Sequence, residues 1–70
     1  MNMVPVASTS IEAIGYDPKS QVLRIAFRTG GLYEYHEVPQ DIAASLIHAP
    51  SKGRFYAQWI KGRFNPLRIL

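Results

Sequence analysis

Residues 22–38 read V-L-R-I-A-F-R-T-G-G-L-Y-E-Y-H-E-V, and they predict a hairpin of two strands. The run from Val22 to Phe27 alternates its side chains between two faces, which is the pattern of a half-buried strand. The run from Leu32 to Val38 alternates again and places two tyrosines on one face. Between the runs, Thr29-Gly30-Gly31 signals a tight turn, because glycine readily adopts positive φ angles.

A third strand is expected before this hairpin. The stretch from Ile11 to Tyr16 is apolar and short, and Gly15 within it predicts a bulge or a close backbone approach. Asp17-Pro18-Lys19-Ser20 then favours a turn, since Asp can bond to the backbone that follows it and Pro presets φ. Residues 1–9 are expected to form a flexible lead-in to a single domain of residues 10–70.

The hydrophobic period lengthens after Pro39, a residue that suits the first position of a helix. Pro50 is expected to end this helix, and Ser51 to cap a second helix that ends at Gly62. Two apolar stripes follow from the spacing: Ile42, Ala43, Leu46 and Ile47 in the first helix, and Phe55, Tyr56, Trp59 and Ile60 in the second. Residues 64–70 are expected to lie back on the core, with Pro66 preventing a further helix.

Together these elements predict an α+β fold: a three-stranded antiparallel β-meander followed by two short helices packed on one face (β-β-β-α-α). The helices are expected to pack on the sheet, because the apolar face of a three-stranded sheet must be shielded from water. A chain of 70 residues makes one domain and buries only about 60% of its unfolded surface. We therefore expect a modest free energy of unfolding.

The charges are unevenly distributed along the chain. Residues 1–48 hold three basic and five acidic residues, a net charge of −2, whereas residues 49–70 hold five basic residues and no acidic one. A block of one sign on a small domain is typical of a phosphate-binding face. It is equally typical of a solvated basic surface that balances an acidic half.

Composition argues against several classes of protein. The chain has no cysteine, so disulfides, thiolate metal sites and cysteine nucleophiles are excluded, and a cytoplasmic location is expected. No apolar stretch approaches a signal sequence or a membrane span, so no membrane partner is expected. His36 is expected to point outward from a strand, and His48 to lie at a helix end. We expect no catalytic residue, no metal site and no cofactor, and hence no enzyme.

The best candidate site is Ser51-Lys52-Gly53-Arg54. A glycine-containing turn that leads into a helix N-terminus directs free backbone N–H groups outward, which suits a phosphate oxygen. The basic side chains there would add charge, and an arginine can clamp a phosphate with two hydrogen bonds. Lys61 and Arg63 would extend the surface. The alternative is an ordinary helix–helix connection with solvated charges.

Aromatic side chains lie between these basic residues and on the preceding strand. Tyr56 and Trp59 belong to the second helix, and Tyr33 and Tyr35 to the third strand. Any of the four that stays exposed is a candidate for stacking on a base. Their spacing also fits burial in the core. Arg24 and Arg28 are expected on the other face of the sheet, where they either extend a basic surface or protect the sheet against association.

Four motifs in this order resemble the KTSC domain. They are I-x-A-I-G-Y-D-P (residues 11–18), L-x-I-x-F-x-x-G-G-x-Y-x-Y (residues 23–35), V-P (residues 38–39) and A-P-S-K-G-R-F (residues 49–55). The resemblance runs from Ser10 to about Phe64. The family is named for its place at the C-terminus of some lysyl-tRNA synthetases, and it includes small bacterial and phage proteins.

This resemblance implies an association with RNA or another nucleic acid, and it implies no agreed catalytic residue. The positions that match the family are Tyr16, Gly31, Tyr33, Tyr35, Ser51 and Gly53, with Arg54 and Arg63 matching more loosely. Aminoacylation is not expected, because these 70 residues carry no synthetase domain.

Two functions remain open at this point. The first is a non-enzymatic module that binds the backbone of RNA or single-stranded DNA through residues 49–63, with weak base specificity and strong salt dependence. The second is a protein–protein interaction or homodimerising accessory domain of bacterial or phage origin, formed at an open sheet edge. Either would be a monomer or a weak homodimer.

Overall fold

The computed structural model describes all 70 residues, which form one five-stranded antiparallel sheet and two helices. The strands lie side by side in chain order from β1 to β5. In sequence the elements are β1 (Val4–Pro5), β2 (Ile11–Asp17), β3 (Val22–Phe27), β4 (Leu32–Tyr35), α1 (Gln40–His48), α2 (Lys52–Trp59) and β5 (Pro66–Arg68). The α+β class and the antiparallel meander are therefore confirmed.

The predicted number of strands is wrong, because a short strand is added at each edge of the sheet. Pro5 of β1 lies in the segment predicted as a flexible lead-in, and it pairs with Ala13 of β2. Arg68 of β5 pairs with Tyr33 of β4. Strands of two and three residues are too short to show alternation, and each contains a proline. Proline lacks a backbone N–H, which an edge strand tolerates and a central strand does not.

Both predicted turns are present, and each has the expected chemistry. In the hairpin, Gly30 and Gly31 have φ angles of 108° and 93°, a region that other residues rarely enter. In the turn after β2, the Asp17 carboxylate accepts hydrogen bonds from the Lys19 backbone N–H at 3.1 Å and the Ser20 hydroxyl at 2.9 Å. Local side-chain chemistry thus sets the register of the three central strands.

The core lies between the sheet and the helices. Its buried residues come from β2, β3, β4, the β4–α1 connection and both helical segments, which shows that the helices cover one face as predicted: Ile11, Ile14, Leu23, Ile25, Tyr35, Val38, Ala43, Leu46 and Ile60. Burying one such aliphatic side chain contributes about 1.5–3 kcal/mol. Neither helix combines the length and the apolar character needed to cross a bilayer.

The helix ends differ slightly from the prediction. Pro39 is the N-cap of α1 rather than its first helical residue, and α2 ends at Trp59 rather than near Gly62. Ile60, the C-cap of α2, is completely buried, and Gly62 turns the chain with a φ of 80°. The reversal leads into β5 and closes the sheet beside β4.

Candidate nucleic-acid interface

The predicted cap at the start of α2 is confirmed. The Ser51 hydroxyl accepts a hydrogen bond from the Arg54 backbone N–H at 3.4 Å. The Lys52 ammonium donates to the Ala49 carbonyl at 2.9 Å, so it satisfies a carbonyl at the end of α1. Arg54 is exposed, and its side chain forms no hydrogen bond within the chain. Of these two cations, Arg54 is the one whose charged group is free.

Gly53 has a different role from the predicted one. It was expected to shape a turn, but it is the second residue of α2. A β-carbon at this position would collide with the Ser10 hydroxyl. Gly53 therefore permits close packing between α2 and the segment that precedes β2. Nothing in the local sequence predicts this contact, because Ser10 and Gly53 belong to distant parts of the chain.

The two remaining predicted cations follow α2. The Arg63 guanidinium lies 5.3 Å from the centroid of the Trp59 ring, and its Nε–H donates to the Gln58 carbonyl at 3.2 Å. Lys61 is exposed and lies beside Tyr56, in a cleft described below. Arg54 lies in the first turn of α2, whereas Lys61 and Arg63 follow its end and Arg63 lies against its last turn. They form two groups, not one cluster.

Trp59 is exposed, although the spacing of the sequence placed it in the core-facing stripe. Its exposed fraction is 42%, and its ring lies 6.4 Å from that of Phe55. Ile60 occupies the buried position at the end of the helix instead. We call this surface the outer face of α2, and it consists of Arg54, Phe55, Gln58, Trp59 and Arg63.

The three candidate tyrosines lie on the inner side of the sheet, and only one is fully buried. Tyr35 is 2% exposed, so its ring has no free face for stacking. Its hydroxyl lies 2.7 Å from that of Tyr56, and burial raises the pKa of Tyr35 well above its ordinary value. Tyr33 and Tyr56 are half-buried.

Tyr33 and Tyr56 line an open cavity of about 350 Å³ between the hairpin turn, the end of α2 and β5. The cavity is also lined by Phe27, Thr29, Gly30, Tyr35, Lys61 and Pro66. We call it the aromatic cleft. Sequence reasoning selected both tyrosines and Lys61, but it did not place them together, and it missed Phe27 and Thr29. No sequence signal connects these residues, since the cleft forms only when β5 returns to the sheet.

Ion pairs are confined to the opposite face of the sheet. The Arg24 Nε–H lies 2.5 Å from one Glu34 carboxylate oxygen, and His36 Nε2 lies 3.2 Å from the other. The hydrogen bond from Arg24 lowers the pKa of Glu34. Arg24 is therefore a paired cation, and it does not extend a free basic surface.

Arg28 is also occupied within the fold. Its guanidinium donates to the carbonyls of Ser8 at 2.6 Å and Val6 at 3.2 Å, and so holds the N-terminal segment against the sheet. Lys52, Arg54, Lys61 and Arg63 form no ion pair with an acidic side chain. No group of three His, Asp or Glu side chains is arranged to hold a metal ion.

Comparisons with known proteins agree on one family. A family model described as the KTSC domain matches residues 7–64. A protein of Tsukamurella paurometabola is 43% identical over 67 residues, which cover 96% of this chain and 100% of that protein. A lysine–tRNA ligase of Nostoc is 43% identical over 54 residues, 77% of this chain but only 10% of the ligase. The crystal structure of a KTSC domain protein from Yersinia pestis is similar with a TM-score of 0.95 and 42% identity, covering 99% of this chain and 97% of that one.

Proposed function

We propose, since this chain belongs to the KTSC domain family, that it is a small non-enzymatic module that binds the backbone of RNA or single-stranded DNA. A cytoplasmic location is part of this proposal. One observation carries it: Arg54 and Arg63 have no acidic partner and share the outer face of α2 with the exposed ring of Trp59. Cations and an exposed aromatic ring on one side of a domain are the two elements that single-strand binding uses.

The relatives support a nucleic-acid partner over other anions. The chain is similar to a segment that makes up 10% of a lysine–tRNA ligase, a protein whose name specifies a tRNA substrate. A small domain attached to such an enzyme is well placed to contact the RNA. We propose the same kind of contact with RNA for this chain, which aligns with that segment of the ligase and not with the rest of it.

The geometry supports backbone contact with little reading of sequence. Arg54 and Arg63 would contact phosphates at the two ends of α2, and Ser51 holds the first turn of the helix in place. Apart from the Arg54 N–H, which Ser51 caps, the first-turn backbone N–H groups have no intrahelical acceptor, and the helix dipole favours an anion there. Phosphate contacts position a ligand without specifying bases, so we expect weak sequence preference. Trp59 would stack on a base of any identity.

The test is a fluorescence anisotropy titration with a labelled single-stranded oligonucleotide between about 50 and 200 mM salt. The parent chain is compared with Arg54→Gln/Arg63→Gln and with a matched control, Lys19→Glu, which lowers the net charge by the same amount at an exposed position without an ion pair. We expect the first variant alone to bind weakly, with a salt slope smaller by about 0.7 per lost phosphate contact. Unchanged binding of Arg54→Gln/Arg63→Gln would remove the basis of the proposal.

A second candidate function is a protein-interaction or homodimerising domain. It is favoured by β5, an edge strand next to three exposed apolar side chains, Leu67, Ile69 and Leu70. An open edge with apolar neighbours can pair with another strand. Light scattering that shows a salt-insensitive dimer, together with no affinity for oligonucleotides at the lowest salt, would favour this function over the first.

A further inference from the structure

We infer that the aromatic cleft holds one base of the bound single strand, and that Lys61 contacts the phosphate next to that base. This inference rests on the proposed function and adds to it a second contact region, on the inner side of the sheet. The proposed ligand of this cleft is an aromatic ring joined to an anion. The cleft is separate from the outer face of α2.

The aromatic rings of the cleft are arranged edge to face. The ring of Phe27 lies 5.7 Å from that of Tyr33 at an interplanar angle of 76°, and 5.1 Å from that of Tyr56 at 67°. Such packing leaves neighbouring rings at steep angles to one another, so the walls of the cleft differ in orientation. These rings contact one another, so a flat heteroaromatic ring would lie against them rather than between them, where it gains both stacking and edge contacts.

The tyrosine hydroxyl groups provide hydrogen bonds inside the cleft. Tyr35 and Tyr56 share one hydrogen bond, in which only one of the two hydroxyls donates. Either hydroxyl can be the donor, so the hydroxyl of the half-buried Tyr56 keeps a proton or a lone pair for a ligand in the cavity. The Tyr33 hydroxyl forms no hydrogen bond within the chain, so the cleft offers a second polar group.

The charge at the cleft favours an anionic ligand. Lys61 is at its edge, and no acidic residue lines it. The Arg68 guanidinium lies 5.6 Å from the Tyr33 ring centroid and adds a second cation next to one of the rings that line the cleft. A nucleotide combines the two properties that this environment selects, a flat ring with hydrogen-bonding edges and a phosphate.

The hairpin turn keeps the opening clear. Gly30 has a φ of 108°, and a β-carbon added there would meet no atom within 4 Å, so its surroundings are open. Gly31 allows the Tyr33 ring to lie against the turn, since a β-carbon at Gly31 would be 2.8 Å from that ring. A proline-rich peptide also docks between aromatic rings, but it does not need the two cations. The charges therefore favour the nucleotide.

The first experiment follows backbone amide signals of the 15N-labelled chain by NMR. The probes are uridine 5′-monophosphate, ribose 5-phosphate and a proline-rich decapeptide, each at the same concentrations. We expect the nucleotide to shift the amides of Thr29, Gly30, Tyr33 and Lys61, and ribose 5-phosphate to shift only Lys61. Equal shifts with both phosphates, or shifts at these amides with the peptide alone, would overturn the inference.

The second experiment measures oligonucleotide anisotropy with Tyr33→Leu and Lys61→Gln. Losing one stacked base should weaken strand binding about tenfold for Tyr33→Leu without changing the salt slope, whereas Lys61→Gln should lower the slope. Amide spectra verify that each variant is folded, and Tyr56→Phe, which keeps the ring, should weaken binding less than Tyr33→Leu.

The two proposals fail in different ways. If the Arg54 and Arg63 substitutions weaken strand binding but Tyr33→Leu does not, the cleft inference falls and the proposed function stands. If uridine 5′-monophosphate binds in the cleft while no oligonucleotide binds, the cleft is a site for a free nucleotide. That result would overturn both the strand proposal and the inference that rests on it.

Discussion

The guanidinium of Arg63 lies over the indole ring of Trp59, 5.3 Å from its centroid. The Arg63 Nε–H also donates to the Gln58 carbonyl, so the cation is held from two sides without any carboxylate. Its charge therefore remains uncompensated while its position is restricted. A phosphate that binds there would lose less free energy to side-chain ordering than it would at a freely rotating arginine.

Replacing Trp59 should separate binding from stability. We expect Trp59→Leu to weaken oligonucleotide binding by about 1–3 kcal/mol, since a stacking platform is lost. The free energy of unfolding should fall by only about 1 kcal/mol, because the side chain is partly exposed and its contacts are with Phe55 and Arg63 at the surface. Anisotropy and urea denaturation measure the two effects. Ile47→Ala, at another exposed apolar position, is the control and should not affect binding; an equal loss in both variants would contradict a specific role for Trp59.

The hydroxyl of Tyr16 should stabilise the junction between β4 and α1. It donates to the Val38 carbonyl at 2.6 Å, and Val38 is completely buried. Tyr16→Phe leaves that carbonyl without this donor, so we expect a loss of about 1 kcal/mol in the free energy of unfolding. The matched control is Tyr33→Phe, whose hydroxyl has no partner in the chain, and urea denaturation should show no loss for it. Similar losses in the two variants would contradict the prediction.

Glu34 should make stability depend on pH in the acidic range. Arg24 lowers the folded-state pKa of Glu34 below its ordinary value of 4.5, so the charged form stabilises the fold above that pH. This contribution is lost as the pH falls below 4.5 and Glu34 takes up a proton. Because the Arg24 side chain is 37% exposed, we expect it to amount to about 1 kcal/mol or less.

The measurement is denaturation of the parent chain and Glu34→Gln between pH 3 and pH 7. The variant should be less stable at neutral pH, and the two curves should converge at the acidic end. Glu12→Gln, at an exposed position without an ion pair, should follow the parent throughout. If the free energies of unfolding of the parent chain and Glu34→Gln differ by a constant amount down to pH 3, the ion pair is not the cause of the difference.

The contact between Ser10 and Gly53 should appear as coupling between two substitutions. Gly→Ala inside a helix usually stabilises it, by up to about 1 kcal/mol. Here the new β-carbon collides with the Ser10 hydroxyl, which must leave its rotamer at a cost of about 0.5–1.5 kcal/mol. Gly53→Ala should therefore stabilise the chain more in a Ser10→Ala background than in the parent. Additive effects in the double-mutant cycle would show that the two residues do not interact.

Features that depend on local chemistry could be predicted from the sequence. The glycines of the hairpin, the Asp17 turn and the Ser51 cap each act within a few residues, and each was found where it was expected. The spacing of apolar residues likewise predicted two helices over one face of the sheet. These signals establish the elements and most of the core.

Features that depend on distant residues could not be predicted. An i, i+4 spacing puts Phe55 and Trp59 on one side of a helix, but the rotation of α2 against the sheet decides which side is buried. The aromatic cleft requires β5, whose three residues lack a strand pattern. In the predicted phosphate site, only the Arg54 side chain is free to bind a ligand. Lys52 donates to the Ala49 carbonyl, and Gly53 allows α2 to pack closely against Ser10.

The position of β5 has a consequence for the order in which the molecule assembles. Arg68 pairs with Tyr33 across a loop that contains both helices. Closing this long loop costs more chain entropy than closing either hairpin turn. We expect the last strand to join after the hairpins, and to detach first in native-state hydrogen exchange. Since Pro66 forms part of the cleft wall, detachment would dismantle that wall, and a ligand in the cleft would slow the exchange of the β4–β5 amides.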